Sequence, residues 1–348
     1  MDAILHVGVT KTGTTTIQKF LRENCEILGR QGIFVPRSIM FPNDFGQHTG
    51  LSAISASRAG NDYATKWLSR ALVPAGADRG EGLERLHGLF VQEVRDAGQH
   101  RKAIISTEAM SHLGRAEFVE AHGILSRLFD RIKVLIYLRR QDLHAVSLFN
   151  SRVRIQLPVL DLFPDPPYPH HDFARMVSDL AESFGRANVE VRLFEPASLE
   201  GGDSLGDFRL ACGIVEDPSF FIPERQNESL NAKQVAFIHH LQCANGENTL
   251  PPMQLRAILD ELECEERFMP SRAAAEAYYR QFAAGNALVA REFLGRDGPL
   301  FDEDFGMYPE SAAIGDFITV EDMARAMIRH LNVERRIRIR KRKAKARN

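Results

Sequence analysis

The segment HVGVTKTGTTTIQ, residues 6–18, carries the residue types that hold a phosphate: two glycines, a lysine and a run of threonine hydroxyls. A nucleoside-triphosphate loop of the form G-x-x-x-x-G-K-[ST] sets its lysine directly after the second glycine. Gly8 and Gly13 keep that glycine spacing, but Thr14 follows Gly13 and Lys11 comes two residues before it. An apolar run precedes this loop and a helical pattern, TTTIQKFLREN, follows it. Backbone N–H groups at such a helix start form an anion site. Thr14, Thr15 and Thr16 add hydroxyl donors, and Gly13 lets the backbone approach closely. From the loop, Lys11 would reach over a bound phosphate to its far side, which suits a group being transferred.

A second stretch, YLRRQDLHAVSLFN at 137–150, follows the most hydrophobic run of the chain. Arg139 stands at the end of that run, and Ser147 comes eight residues later. The pair could bracket a second phosphate, the arginine through bidentate contacts and the serine through its hydroxyl. The plain alternative is an arginine paired with Asp142 and a serine on an ordinary helix face.

Together, Lys-Thr-Gly-Thr-Thr after one strand and Arg-x7-Ser after another resemble the sulfotransferases that use 3′-phosphoadenosine 5′-phosphosulfate (PAPS). Lys11, Thr12, Gly13, Thr14 and Thr15 match that family's phosphosulfate loop, and Arg139 and Ser147 match its 3′-phosphate motif. The resemblance is specific over 4–20 and 132–150. It extends more loosely to about 305 through ERQNESLN (224–231), GNALVAREFL (285–294) and PLFDEDF (299–305), and points to the bacterial branch. It implies in-line sulfuryl transfer from PAPS to a hydroxyl, or less readily an amine, with no metal. A donor with a 5′-phosphosulfate and a separate 3′-phosphate accounts for the displaced lysine.

The resemblance also implies a general base, a glutamate or histidine, near the end of a neighbouring strand. Glu108, in IISTEAMSHL, is the first choice; His48, in FGQHTGLS, competes with it, and His112 comes third. A carboxylate capping a helix start would explain Glu108 equally well. The Arg-Lys-Gly tripeptide that completes the 3′-phosphate site in many relatives is absent from this sequence. Arg225, with Asn227 and Ser229, is the candidate substitute, and Arg140 competes with Arg139.

The elements that must position these groups are legible as apolar runs: 3–9, 102–107, 132–138 and 189–195. Separated by helical patterns, they predict an α/β fold, a three-layer P-loop-type parallel sheet flanked by helices. Ligands on such sheets gather at the strands' carboxyl ends. Residues 1–230 are expected to form this core and 231–332 a helical C-terminal portion of the same domain. The Pro-rich stretch 157–171 reads as a surface loop.

The last sixteen residues, VERRIRIRKRKAKARN, hold nine Lys/Arg against one acid, a local +8 that leaves −10 over the rest. This basic tail, 333–348, is expected to fray, or to touch anionic lipid or an acidic polymer. It lacks interleaved aromatics, which disfavours nucleic acid. The partner expected is a small-molecule or glycan acceptor, including a lipid-linked saccharide.

Four scattered cysteines without a C-x-x-C pair read as reduced thiols, and neither His-His pair has the company of a metal site. With no secretory pattern at the start and no long apolar run, the expected location is the cytoplasm. Two other readings stand beside sulfuryl transfer. A P-loop kinase would want lysine where Thr14 stands, and a protein of this fold could bind nucleotide without turning it over.

Overall fold

The computed structural model describes residues 1–41, 46–154, 161–224, 230–245 and 250–345. Five strands, β1 (Asp2–Val7), β2 (Ile33–Phe34), β3 (Lys102–Thr107), β4 (Ile132–Leu138) and β5 (Val189–Leu193), form one sheet of order β2-β3-β1-β4-β5. All four pairings are parallel. The fold is α/β, with a five-stranded parallel sheet flanked by helices. Strands covered on both faces are nearly continuous apolar runs, which is why four of them could be read from sequence. The fifth, β2, is a two-residue pairing at the sheet edge, between Gly32 and Pro36, and is too short to leave a periodic signal.

The helices, in chain order, begin with α1 (Thr14–Glu23), α2 (Cys25–Arg30), α3 (Thr49–Arg58), α4 (Asp62–Leu68) and α5 (Arg79–Asp96). They continue with α6 (Arg115–Leu125), α7 (Gln141–Arg154), α8 (Phe173–Phe184), α9 (Ser204–Cys212) and α10 (Ala232–Asn245). The last are α11 (Pro252–Leu259), α12 (Arg272–Arg280), α13 (Ala283–Leu294) and α14 (Val320–Lys345).

The chain divides into two compact units, each discontinuous in sequence. The first, Met1–Arg140 with Tyr168–Arg225 and Phe282–Glu303, contains the whole sheet. The second gathers Gln141–Pro167, Gln226–Gln281 and Asp304–Asn348, and so holds α7, α10, α11, α12 and α14 but not α13.

In the first unit, Ile17, Phe20 and Leu21 of α1 and Leu205, Phe208 and Cys212 of α9 pack on Ile4, Ile104, Leu135 and Tyr137 of the strands. The strand residues between these, such as Leu5, Ile105 and Val134, turn to the opposite face by the two-residue alternation of a strand. Helix α8 packs against β4 and β5. It buries Phe173, Met176, Val177, Leu180 and Phe184, a 3.6-residue stripe. Asp172 caps its start by accepting from the Arg175 N–H at 3.0 Å, and Gly185, at φ 88°, ends it.

The second unit has its own core, built from Phe149 and Val153 of α7, Val235 and Ile238 of α10, Leu255 and Ile258 of α11 and Ala326 of α14. Within it the Tyr308 hydroxyl donates to Asp142 Oδ2 at 2.5 Å.

Two histidines are locked inside the first unit. His6, on β1, lies edge-on to Tyr137 at 5.8 Å, with Nδ1 2.9 Å from the Ser106 hydroxyl. Among the described residues its Nε2 has no partner. Burial pushes its pKa down to about 3 and that of His48 down to about 4, despite the backbone partners of His48. Both are therefore neutral in the fold, while in the unfolded chain each takes up a proton near 6.5. Below that pH the unfolded state binds protons that the folded state refuses, so stability falls as pH drops from 6.5 towards about 4. Each group contributes about 1.4 kcal/mol per pH unit across its window. Urea unfolding at a series of pH values should show this slope, and His6→Leu should flatten it by about one proton while changing stability at pH 7 little.

Candidate functional site

The loop after β1 begins with a steric constraint. Gly8 is so close to the start of α1 that a Cβ there would lie 2.4 Å from Thr14 Cγ2, and 3.6 Å from the Glu108 Cα. Its N–H donates to the Thr107 carbonyl at 3.1 Å, which continues the β1–β3 pairing past the strand. The Thr12 hydroxyl donates to the Val9 carbonyl at 2.6 Å and closes the loop from inside.

Two residues of this loop have left-handed backbones, Lys11 at φ 65° and Gly13 at φ 79°. For Lys11 this conformation costs free energy on the scale of one to a few kcal/mol, and non-glycine residues held this way cluster at ligand sites. Gly13 is the N-cap of α1 and offers no side-chain cap, and no acid stands in that helix's first turn. The Thr16 and Ile17 N–H groups turn back to the Gly13 carbonyl at 3.1 and 3.2 Å. The N–H groups of Thr14 and Thr15 lie at the end of α1 that intrahelical bonding leaves open. The result is a positive helix end facing the carboxyl edge of the sheet. Strand order reverses at β1, between β3 and β4, which is where such sheets form a crevice.

Around this loop the structure brings Arg139 and Glu108 together. The Arg139 Nη1 donates to the Lys11 carbonyl at 2.9 Å, and its guanidinium lies 5.5 Å from the centre of the Phe194 ring. Glu108, at the end of β3, accepts from the Thr14 hydroxyl through Oε2. Arg140 is buried, and its Nη1 donates to the Asp302 carbonyl at 2.5 Å. Ser147 is half-buried in the second turn of α7 and belongs to the second unit. Arg225, Asn227 and Ser229 lie outside the described residues.

His48 has a different setting. It is fully buried, with Nε2 2.9 Å from the Pro36 carbonyl and Nδ1 3.0 Å from the Ser106 N–H. Since Nε2 must donate to the carbonyl, Nδ1 accepts from the amide, and both ring nitrogens of the neutral imidazole are committed to backbone. His112, in the short turn Ala109–His112 that follows Glu108, stacks edge-on against Trp67 at 6.3 Å.

Two residues at the loop gave no motif signal. A Cβ on Gly13 would meet Ser204 Oγ at 2.4 Å and Phe194 Cε2 at 3.5 Å. Both follow β5, and the strand-end rule alone could have drawn attention to LFEPASLEGGDS. Ser204 opens α9, whose N-cap Asp203 accepts from the Gly206 N–H at 2.8 Å. The helix is tied down by Asp207, which is buried and accepts from Arg192 Nε and Nη2, both at 2.6 Å, and from the Tyr137 hydroxyl at 2.6 Å. Burial opposes the Asp207 charge, but Arg192, Tyr137 and the Glu200 N–H outweigh it and hold the pKa below the ordinary carboxylate value. The loop is thus clamped by β4 through Arg139 and backed by α9 through Ser204.

No protein-family model matches the chain, and no curated protein matches it. Among solved structures it is similar to a sulfotransferase from Alicyclobacillus acidocaldarius, with 16% identity and a TM-score of 0.37 over 69% of this chain and 90% of that one. It is also similar to the sulfotransferase domain from the curacin biosynthetic pathway, with 11% identity and a TM-score of 0.34 over 81% and 96% of the two chains. Both neighbours are sulfotransferases. At these scores the likeness carries no weight for mechanism, which rests on the residues of the loop.

Gly13→Ala should fail at two levels, through the left-handed backbone and through the contact with Ser204. The expected loss is about 1–3 kcal/mol in urea unfolding. Adding Ser204→Ala should recover only the part due to the contact, which the double-mutant comparison isolates.

Proposed function

We propose that this protein transfers a sulfuryl group from PAPS to a hydroxyl, less readily an amine, of a glycan or lipid-linked saccharide. The observation that carries this reading is the bond from Arg139 to the Lys11 carbonyl, which ties the arginine to the loop that opens α1. A donor carrying both a 5′-phosphosulfate and a 3′-phosphate asks for cationic groups at two anions. Lys11, Thr12, Gly13, Thr14, Thr15 and Thr16 serve the first in this proposal, and Arg139 the second.

In the reaction the acceptor oxygen forms a bond to sulfur as the bond from sulfur to the 5′-phosphate oxygen breaks. The acceptor's proton passes to the Glu108 carboxylate, and the electron pair of the broken bond stays on the departing phosphate. Lys11 and the N–H groups of the helix end stabilise that growing negative charge, a fixed arrangement of dipoles that needs no rearrangement during transfer. Glu108 is preferred to His48 as base because both ring nitrogens of His48 are already engaged with backbone. These groups supply the neutralisation, so the proposal includes no metal.

For the acceptor, the turn that leaves Glu108 leads to His112, which lies edge-on to Trp67 and to His170, the latter at 5.5 Å. Trp67 is the sole tryptophan and is 57% exposed. Flat aromatic area of this kind suits the C–H face of a sugar ring, and this supports the glycan reading.

Calorimetry with 3′,5′-adenosine bisphosphate (PAP) and ADP, without magnesium, tests the donor. PAP should bind in the micromolar range and ADP more weakly. Arg139→Ala should weaken PAP by at least tenfold, about 1.4 kcal/mol, and Arg140→Ala should not. Glu108→Gln should not weaken PAP binding, while transfer falls by about 10²-fold or more. Equal binding of ADP, or a requirement for magnesium, would move a kinase ahead of this reading.

A further inference from the structure

Helix α14 has two faces that are both accounted for and a third that is not. One side packs on α11 and buries Ala326 and Asp322, the latter paired with Lys233 at 3.0 Å. A second side is charged, with Arg325 bridging to Glu321 at 3.1 Å and Arg329 to Glu261 at 3.4 Å. The third carries Val320, Met327, Ile328 and Leu331, which are 85%, 62%, 60% and 61% exposed. At 100° per residue, Val320, Met327 and Leu331 fall within about 40° of one another, with Ile328 beside them. Four large apolar side chains in one solvent-facing stripe are a surface in want of a partner.

The same helix runs on to Lys345, into the segment with nine Lys/Arg against one acid. We propose that α14 is an interfacial helix that lays its apolar stripe into an anionic lipid surface, with the basic run held on the headgroups. Both halves of the observation suit this occupant. A second copy of the chain would cover the stripe, and the oligomeric state measured below separates it from a lipid surface. A nucleic acid would use the charge but not the stripe, and no aromatic residue lies among the basic ones to stack a base. An anionic bilayer offers hydrocarbon and negative charge within one helix diameter, and amphipathic helices with a basic polar side bind there in the plane of the interface. No described helix is long and apolar enough to cross a membrane, so this contact lies on the surface. The proposal does not depend on the sulfuryl-transfer reading.

Full-length protein should sediment with vesicles of phosphatidylcholine containing phosphatidylserine, and not with phosphatidylcholine alone. About 0.5 M salt, where screening lengths shrink to a few ångströms, should release it. The double substitution Met327→Glu and Leu331→Glu, on exposed positions, should lower the vesicle partition coefficient at least tenfold while the thermal melt and the urea-unfolding midpoint stay unchanged. Four outcomes would overturn the proposal: no sedimentation with either vesicle, equal sedimentation with both, an unaffected double variant, or retention on RNA without vesicle binding. A dimer by light scattering that Leu331→Glu dissolves, with no vesicle binding, would assign the stripe to a second copy instead.

Discussion

The site depends on how little room separates the end of β1 from the start of α1. At Gly8 the backbone passes so close to Thr14 that a single added carbon would overlap its methyl group. This contact turns the chain sharply enough for α1 to begin at the sheet edge with its N–H groups facing outward. Everything else at the site is arranged about that turn. Thr12 closes it from within, Arg139 holds the Lys11 carbonyl from β4, Ser204 stands behind Gly13, and Glu108 receives the Thr14 hydroxyl from β3. A loosened turn would leave the cations and the carboxylate on their strands with no common centre.

The clamp is itself supported from below. Asp207 gathers Arg192, Tyr137 and a backbone amide at one carboxylate, joining β4, β5 and α9. Buried ionic groups of this kind are demanding, because leaving any partner unpaired exposes the full cost of desolvation. Satisfied on every side, the network fixes α9, and with it the serine that backs the loop. His6 and Phe208, with ring centres 5.2 Å apart, fill the space beneath. The rigidity of the loop therefore comes from the protein interior, whereas the groups that would meet a ligand lie at its rim.

The parts of this arrangement that could be read from the sequence are those with strong local signatures. Gly8, Lys11 and Gly13 announce a phosphate-type turn by spacing, and the runs at 102–107 and 132–138 announce strands whose ends deliver Glu108 and Arg139. Strand β2 could not be read, since two paired residues have no period. Phe194 and Ser204 were missed because their roles come from tertiary approach to Gly13, far away in the chain. Between Arg139 and Arg140, the eight-residue spacing to Ser147 favours Arg139, while adjacent identical residues leave their side-chain directions open. In the fold one guanidinium donates to the Lys11 carbonyl and the other to that of Asp302. Residue spacing also could not show that the second unit draws on three separated segments, for long-range packing alone assembles them.

The hydrogen bond between Thr14 and Glu108 has a consequence for the order of events. A hydroxyl owns one proton, and while that proton points to the carboxylate it cannot be given to a phosphate oxygen. An arriving anion at the head of α1 and the glutamate therefore bid for the same hydrogen. If the anion takes it, the Thr14 hydroxyl ceases to donate to the carboxylate at the moment the loop fills. Filling the head of α1 and releasing Glu108 from Thr14 are therefore a single event, and the end of β3 senses what the end of β1 holds.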